Sequence, residues 1–226
     1  MRDLPGSGTG GVVRLVAIIS FSRKFIFLKT AKTAGTSLEV YLSQHCDDGD
    51  IVTPLFPANP NHVPRNFHNW RSGTTLYNHM AAAEVQNYLG QEQFSRFFKF
   101  CFERHPVDKC ISHFAMLKNS PAHKNKSNPK TWEEYLESGA FPNNAGTYTD
   151  EGGNLLVDKI YKFELLPQAI KEICDKVDLP HIELNVFEKS GFRHGVPDFG
   201  EVMRNAFQKN KIMKAFDTTL RFVDYV

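Results

Sequence analysis

Phe25-Ile26-Phe27-Leu28-Lys29-Thr30-Ala31-Lys32-Thr33-Ala34-Gly35-Thr36-Ser37-Leu38 is the stretch on which the fold turns. Phe25 to Leu28 is continuously apolar, as in a strand buried on both faces of a parallel sheet. A turn rich in Lys, Thr and Gly follows, and Leu38, Tyr41 and Leu42 then recur at helical spacing. The order is strand, phosphate-type loop, helix. Backbone N–H groups at a helix start, two hydroxyls and one lysine make a cradle for a phosphate or related anion. The loop is not a Walker A sequence, because its Lys precedes its Gly and its hydroxyls come last. A Thr/Ser-capped helix carrying a surface lysine is the competing account of the same residues.

The pattern recurs downstream. Phe100-Cys101-Phe102 predicts a strand and Arg104-His105-Pro106 a turn with Pro106 at a first helical position. Val107, Ile111, Phe114 and Ala115 then share one helical face. Helices are also predicted over Met80–Leu89 with Gly90 as the stop, Gln91–Phe98, Trp132–Glu137, Pro167 to about Val177, and Glu201–Phe216, with a third strand at Ile160–Phe163. Residues 53–78 form an irregular excursion rich in Pro, Asn and His, and 118–130 and 139–154 read as loops. Strands alternating with helices predict a three-layer α/β/α fold with a mostly parallel central sheet. Residues 23–226 are expected to form one domain after a flexible or peripheral segment, 1–22. The Gly6–Gly11 run matches GxGxxG, but no strand precedes it and it reads as a terminus.

Composition narrows the function classes. The 226 residues carry Lys+Arg 27 against Asp+Glu 25, a net charge of +2, so no global field holds the chain on a polyanion and a nucleic-acid coat is not expected. Hydrophobic residues at 41% and 19 Phe supply material for a core. Cys46, Cys101, Cys110 and Cys174 are scattered without zinc spacing and read as reduced thiols. Val12–Phe21 is too short to span a bilayer and is interrupted by Arg14, so a cytoplasmic chain without a membrane segment is expected.

The chain resembles the P-loop-like, carbohydrate-type sulfotransferases, which use 3′-phosphoadenosine 5′-phosphosulfate (PAPS). Their first signature is a strand, a Pro-Lys-Thr-x-x-Thr-Ser loop and a helix, matched by Lys32, Thr33, Thr36 and Ser37 with Ala31 in place of the proline. The second is a strand, then Arg-x-Pro, then a serine eight residues after the Arg; Arg104, Pro106 and Ser112 match it, with Phe114 beyond. Tyr77-Asn78-His79-Met80 looks like the family's catalytic-histidine segment, Ile160–Leu165 like a later strand, and Lys189-Ser190 through Asp217 and Tyr225 is loosely similar. Glu103 departs from the pattern, adding an acid where an apolar residue is usual.

The resemblance implies a P-loop NTPase-like sulfotransferase fold and a PAPS-dependent enzyme releasing 3′,5′-adenosine bisphosphate (PAP). The acceptor would be a hydroxyl, on a carbohydrate such as a glycan or on a small metabolite. Lys32 would stabilise charge on the bridging oxygen of the 5′-phosphate. Thr33, Ala34, Gly35, Thr36 and Ser37 would line that phosphate. Arg104 and Ser112 would clamp the 3′-phosphate, His79 would take the acceptor proton, and Lys189, Ser190 and Arg193 would close over the nucleotide. A sulfuryl group carries less charge than a phosphoryl group, so no metal is expected. His62 and His68 read as surface or acceptor-loop residues, and Lys118, Lys124, Lys126 and Lys130 as a solvated loop. A divergent P-loop phosphotransferase and a non-catalytic nucleotide-binding module are the alternatives.

Overall fold

The computed structural model describes residues 18–69, 74–76, 80–181 and 191–225. At its centre five strands lie in the order β3-β1-β2-β6-β7. They are β1 (Ile18–Ser20), β2 (Phe25–Phe27), β3 (Ile51–Val52), β6 (Phe98–Glu103) and β7 (Lys159–Lys162). The short β4 (His68–Asn69) and β5 (Thr74–Thr75) pair separately, inside the excursion expected to be irregular.

The sheet is mixed, which corrects the expectation of a mostly parallel one. β2, β6 and β7 run parallel, whereas β1 is antiparallel to both β2 and β3. The cause is a tight hairpin between β1 and β2, since a short turn returns the chain only in the opposite direction. Buried Asp50 braces that hairpin. Its carboxylate accepts from the Phe21 and Ser22 amides (2.7 and 3.0 Å), the Ser20 and Ser22 hydroxyls (2.9 and 2.8 Å) and the Asp47 amide (2.9 Å). Ile18–Ser20 therefore belong to the core rather than to a peripheral segment ending at residue 22, and Ile18 and Ile19 are fully buried. They were hidden because a three-residue strand has too few positions to show a period.

Strand alternation divides the apolar side chains between two layers. Ile18, Phe25, Phe27, Val52, Phe100, Phe102 and Tyr161 pack under α1 (Gly35–Gln44) and α7 (Leu166–Val177). Ile19, Ile26, Leu28, Ile51 and Cys101 pack under α2 (Ala82–Leu89), α3 (Gln91–Ser95) and α6 (Ala145–Tyr148). Helices thus cover both faces of the sheet. A third cluster joins α4 (Pro106–Asn119) to α5 (Trp132–Ser138), α8 (Phe199–Arg204) and α9 (Ala206–Ala215), with α10 (Asp217–Leu220) after them. Val107, Ile111, Phe114 and Ala115 are all buried, as their spacing predicts. The single helix expected over Glu201–Phe216 is two, because Asn205 leaves the helical region and its side chain caps α9 through the Gln208 amide (3.2 Å).

Candidate functional site

β2 and β6 are parallel neighbours, so the turns at their C-terminal ends stand side by side on one edge of the sheet, where open α/β sheets bind ligands. In the loop from β2 to α1, Lys32 (φ 65°) and Ala34 (φ 57°) both take left-handed backbone. That conformation is costly for a side-chain-bearing residue, and it curls successive N–H groups toward one concavity. Ala34 is the N-cap of α1 and offers no side-chain acceptor to the first-turn amides.

The loop is fixed from behind. The Thr30 hydroxyl donates to the Phe102 carbonyl (2.5 Å) and the Thr33 hydroxyl to the Thr30 carbonyl (3.0 Å). Asn144 accepts from the Ala31 amide (3.1 Å) and donates to the Ala31 carbonyl (3.3 Å). Beneath the loop Lys29 Nζ meets Glu39 Oε2 at 2.7 Å, and His62 Nε2 lies 3.9 Å from Glu39 Oε1 while facing the Thr53 carbonyl at 2.8 Å. All three side chains are buried. His62 is therefore an internal residue and not the surface residue its loop suggested; burial holds its imidazole below the ordinary value.

Arg104 faces this loop from the second turn. Its guanidinium stacks on Phe163, 4.4 Å from the ring centroid, and Nη1 reaches the Lys32 carbonyl at 3.5 Å. Nε donates to Asp108 Oδ2 at 2.6 Å, and the other oxygen of Asp108 accepts from Arg193 at 2.6 Å. Ser112 stands one turn beyond Asp108 on the half-exposed side of α4. Glu103 adds no net charge here, since its carboxylate pairs with Lys109 at 2.5 Å and both side chains are fully buried. Beside Ser112, His113 hydrogen-bonds the Tyr135 hydroxyl (3.0 Å); burial first, and then the Lys32 ammonium, push its pKa down to about 4. The charge of Lys32 is therefore felt on α4.

No family model matches the chain. An uncharacterized protein of Archaeoglobus fulgidus is 32% identical to it over 111 residues, which are 47% of this chain and 88% of the archaeal protein. The chain belongs to that protein's family.

The structure brings together Lys32, Ala34, Gly35, Arg104 and Arg193, with Thr36 and Ser37 in the half-exposed first turn of α1 and Ser112 on the adjoining helix. Thr33 stands apart, because its buried hydroxyl is spent within the loop and shapes the cradle instead of lining it. His79, Lys189 and Ser190 lie outside the described residues. Lys124, Lys126 and Lys130 are exposed, but Lys118 donates to the Gly195 carbonyl at 2.6 Å. Asp108, four residues after Arg104 on a predicted helix, was legible as an ion-pair partner and was missed. Asn144, 113 residues from its partner Ala31, left no local signal. All four cysteines are free and buried, and among the described residues no helix is long and apolar enough to cross a membrane.

Proposed function

We propose that the chain is a sulfotransferase that moves a sulfuryl group from PAPS to an acceptor hydroxyl on a carbohydrate or small metabolite. The observation that carries this reading is the meeting of Arg104 with the Lys32 carbonyl, which sets two signature motifs 72 residues apart against one another. PAPS supplies an activated sulfuryl group on a 5′-phosphate and a separate 3′-phosphate for recognition. The residues present suit both ends. The α1 N-terminus, without a side-chain cap, and the Thr36 and Ser37 hydroxyls hold the 5′-phosphate, and Lys32 neutralises charge growing on its bridging oxygen. Arg104, Ser112 and Arg193 take the 3′-phosphate through charge-assisted bonds. His79 accepts the proton of the acceptor hydroxyl as its oxygen bonds to sulfur and the sulfur–phosphate oxygen bond breaks.

The test is a thermal-shift titration with 3′,5′-adenosine bisphosphate, ADP and ATP, each with and without magnesium. A ligand that binds only the folded state adds about 2.7 kcal/mol at one hundred times its Kd. Stabilisation by the bisphosphate, indifferent to chelator, is expected. Stabilisation only by ATP with magnesium would replace the reading with a phosphotransferase, and no shift at all would remove the nucleotide site. With a competent acceptor, Lys32→Ala should lower turnover by roughly a hundredfold or more, the usual loss for a preorganised charge at the reacting centre. A binding module would bind the bisphosphate, transfer nothing, and be indifferent to His79→Ala.

A further inference from the structure

We propose that Asp108 is a positioning residue that assembles the 3′-phosphate clamp, by fastening the strap Phe192–Gly195 along α4 so that Arg193 is held beside Arg104 and over Ser112. The ligand in this statement rests on the sulfotransferase reading; the fastening does not.

Two guanidinium groups repel one another, and an anion between them offsets that repulsion. Asp108 is that anion. Oδ2 accepts from Arg104, Oδ1 accepts from Arg193 at 2.6 Å, and the Asp108 carbonyl accepts from Arg193 at 3.2 Å. The two arginines come from distant stretches: Arg104 enters with α4, while Arg193 is 85 residues from Asp108. The strap's backbone on both sides of Arg193 is tied as well, at the other end of α4. Asn119 Nδ2 donates to the carbonyls of Phe192 (2.6 Å) and His194 (2.9 Å), and Lys118 Nζ donates to that of Gly195. Asp108, Ser112 and Asn119 lie on one face of α4, so the strap's backbone is pinned at the last turn, the Arg193 side chain is held at the first, and Ser112 lies between the two. The trio of Arg104, Asp108 and Arg193 keeps one net positive charge for a phosphate, and it orients donors from both arginines before the ligand arrives.

The two arginines depend on Asp108 unequally. Arg104 also has Phe163 and the Lys32 carbonyl, and its side chain is 12% exposed; Arg193 is 38% exposed, and its contacts among the described residues run to Asp108. A neutral amide at position 108 should therefore release the Arg193 side chain and loosen the strap, which keeps its ties to Asn119 and Lys118, while leaving Arg104 in place.

The experiment uses the full chain with Asp108→Asn, Arg193→Gln, the double variant and Asp108→Glu. Hydrogen exchange without nucleotide should be faster over 192–195 in both single variants, no faster again in the double, and partly restored by Asp108→Glu. Calorimetry should show each single variant losing at least about tenfold in affinity for 3′,5′-adenosine bisphosphate, the loss of a charge-assisted contact, with no further loss in the double and little change for 5′-AMP. Unchanged exchange in the strap, or bisphosphate binding in Asp108→Asn as tight as or tighter than in the parent, would overturn the proposal. The second result would make Asp108 a competitor of the phosphate. If the parent binds neither nucleotide, the sulfotransferase reading fails, and the exchange result alone decides whether Asp108 fastens the strap. If Asp108→Asn does not fold, Arg193→Gln, on the exposed strap, carries the same test.

Discussion

At Gly35 a single added carbon would stand 2.7 Å from Cγ of Lys29, the stem that carries the buried ammonium to Glu39. Gly35→Ala meets no left-handed strain, and the displacement of that stem should outweigh the gain in helix propensity and lower stability by about 1–3 kcal/mol, read from urea unfolding. An unchanged midpoint would mean that the stem has room to move. His113 gives a second prediction. Its folded pKa of about 4 lies below the ordinary 6.5, so the stability it contributes is full above about 6.5 and is lost as pH falls toward 4. Lys32→Ala should raise the His113 value measured by NMR, yet leave it below 6.5, because burial is the larger cause. Residues of this kind were only partly legible. Lys32, Arg104 and Ser112 belong to motifs with fixed spacing, whereas Asn144 and His113 matter through contacts that no spacing announces.

Helices wrote themselves into the pattern more plainly than strands did. Gly90 (φ 80°) stops α2 where its position predicts, and Pro106 and Pro167 stand in the first turns of α4 and α7. The misses occur where one polar side chain redirects the chain. Asn205 divides the final helix by capping α9, and Asn205→Ala should cost about 1 kcal/mol. Asp50 does the same for the β1–β2 hairpin. Burial alone would raise its carboxyl pKa, but the bonds from Ser22, Asp47 and Ser20 together hold it below 3.8. Its contribution is therefore present above the ordinary carboxyl range and is lost as pH falls through the lowered folded value. Asp50→Asn turns an NH₂ group toward those donors and should lower the unfolding free energy from urea titration by about 1–3 kcal/mol at neutral pH, with a flatter acid limb. An acid limb identical to the parent's would show that Asp50 is not its source.

For the molecule as a whole, the alternation of strands and helices revealed an α/β fold, and the placement of β1 did not follow from it. β1 lies between β3 and β2, with Ile18 and Ile19 serving opposite layers. A chain starting at residue 23 should lose cooperative unfolding, seen as a broadened thermal transition by near-UV circular dichroism. A sharp transition would mean that β2 tolerates an open edge. The strap bears on synthesis. Lys32 leaves the ribosome long before Arg193, an interval on the order of ten seconds or more at usual elongation rates. A nascent chain therefore carries the helix start without a side-chain cap well before it carries Arg193, and under the proposed function tight nucleotide capture is reserved for chains that have passed that point.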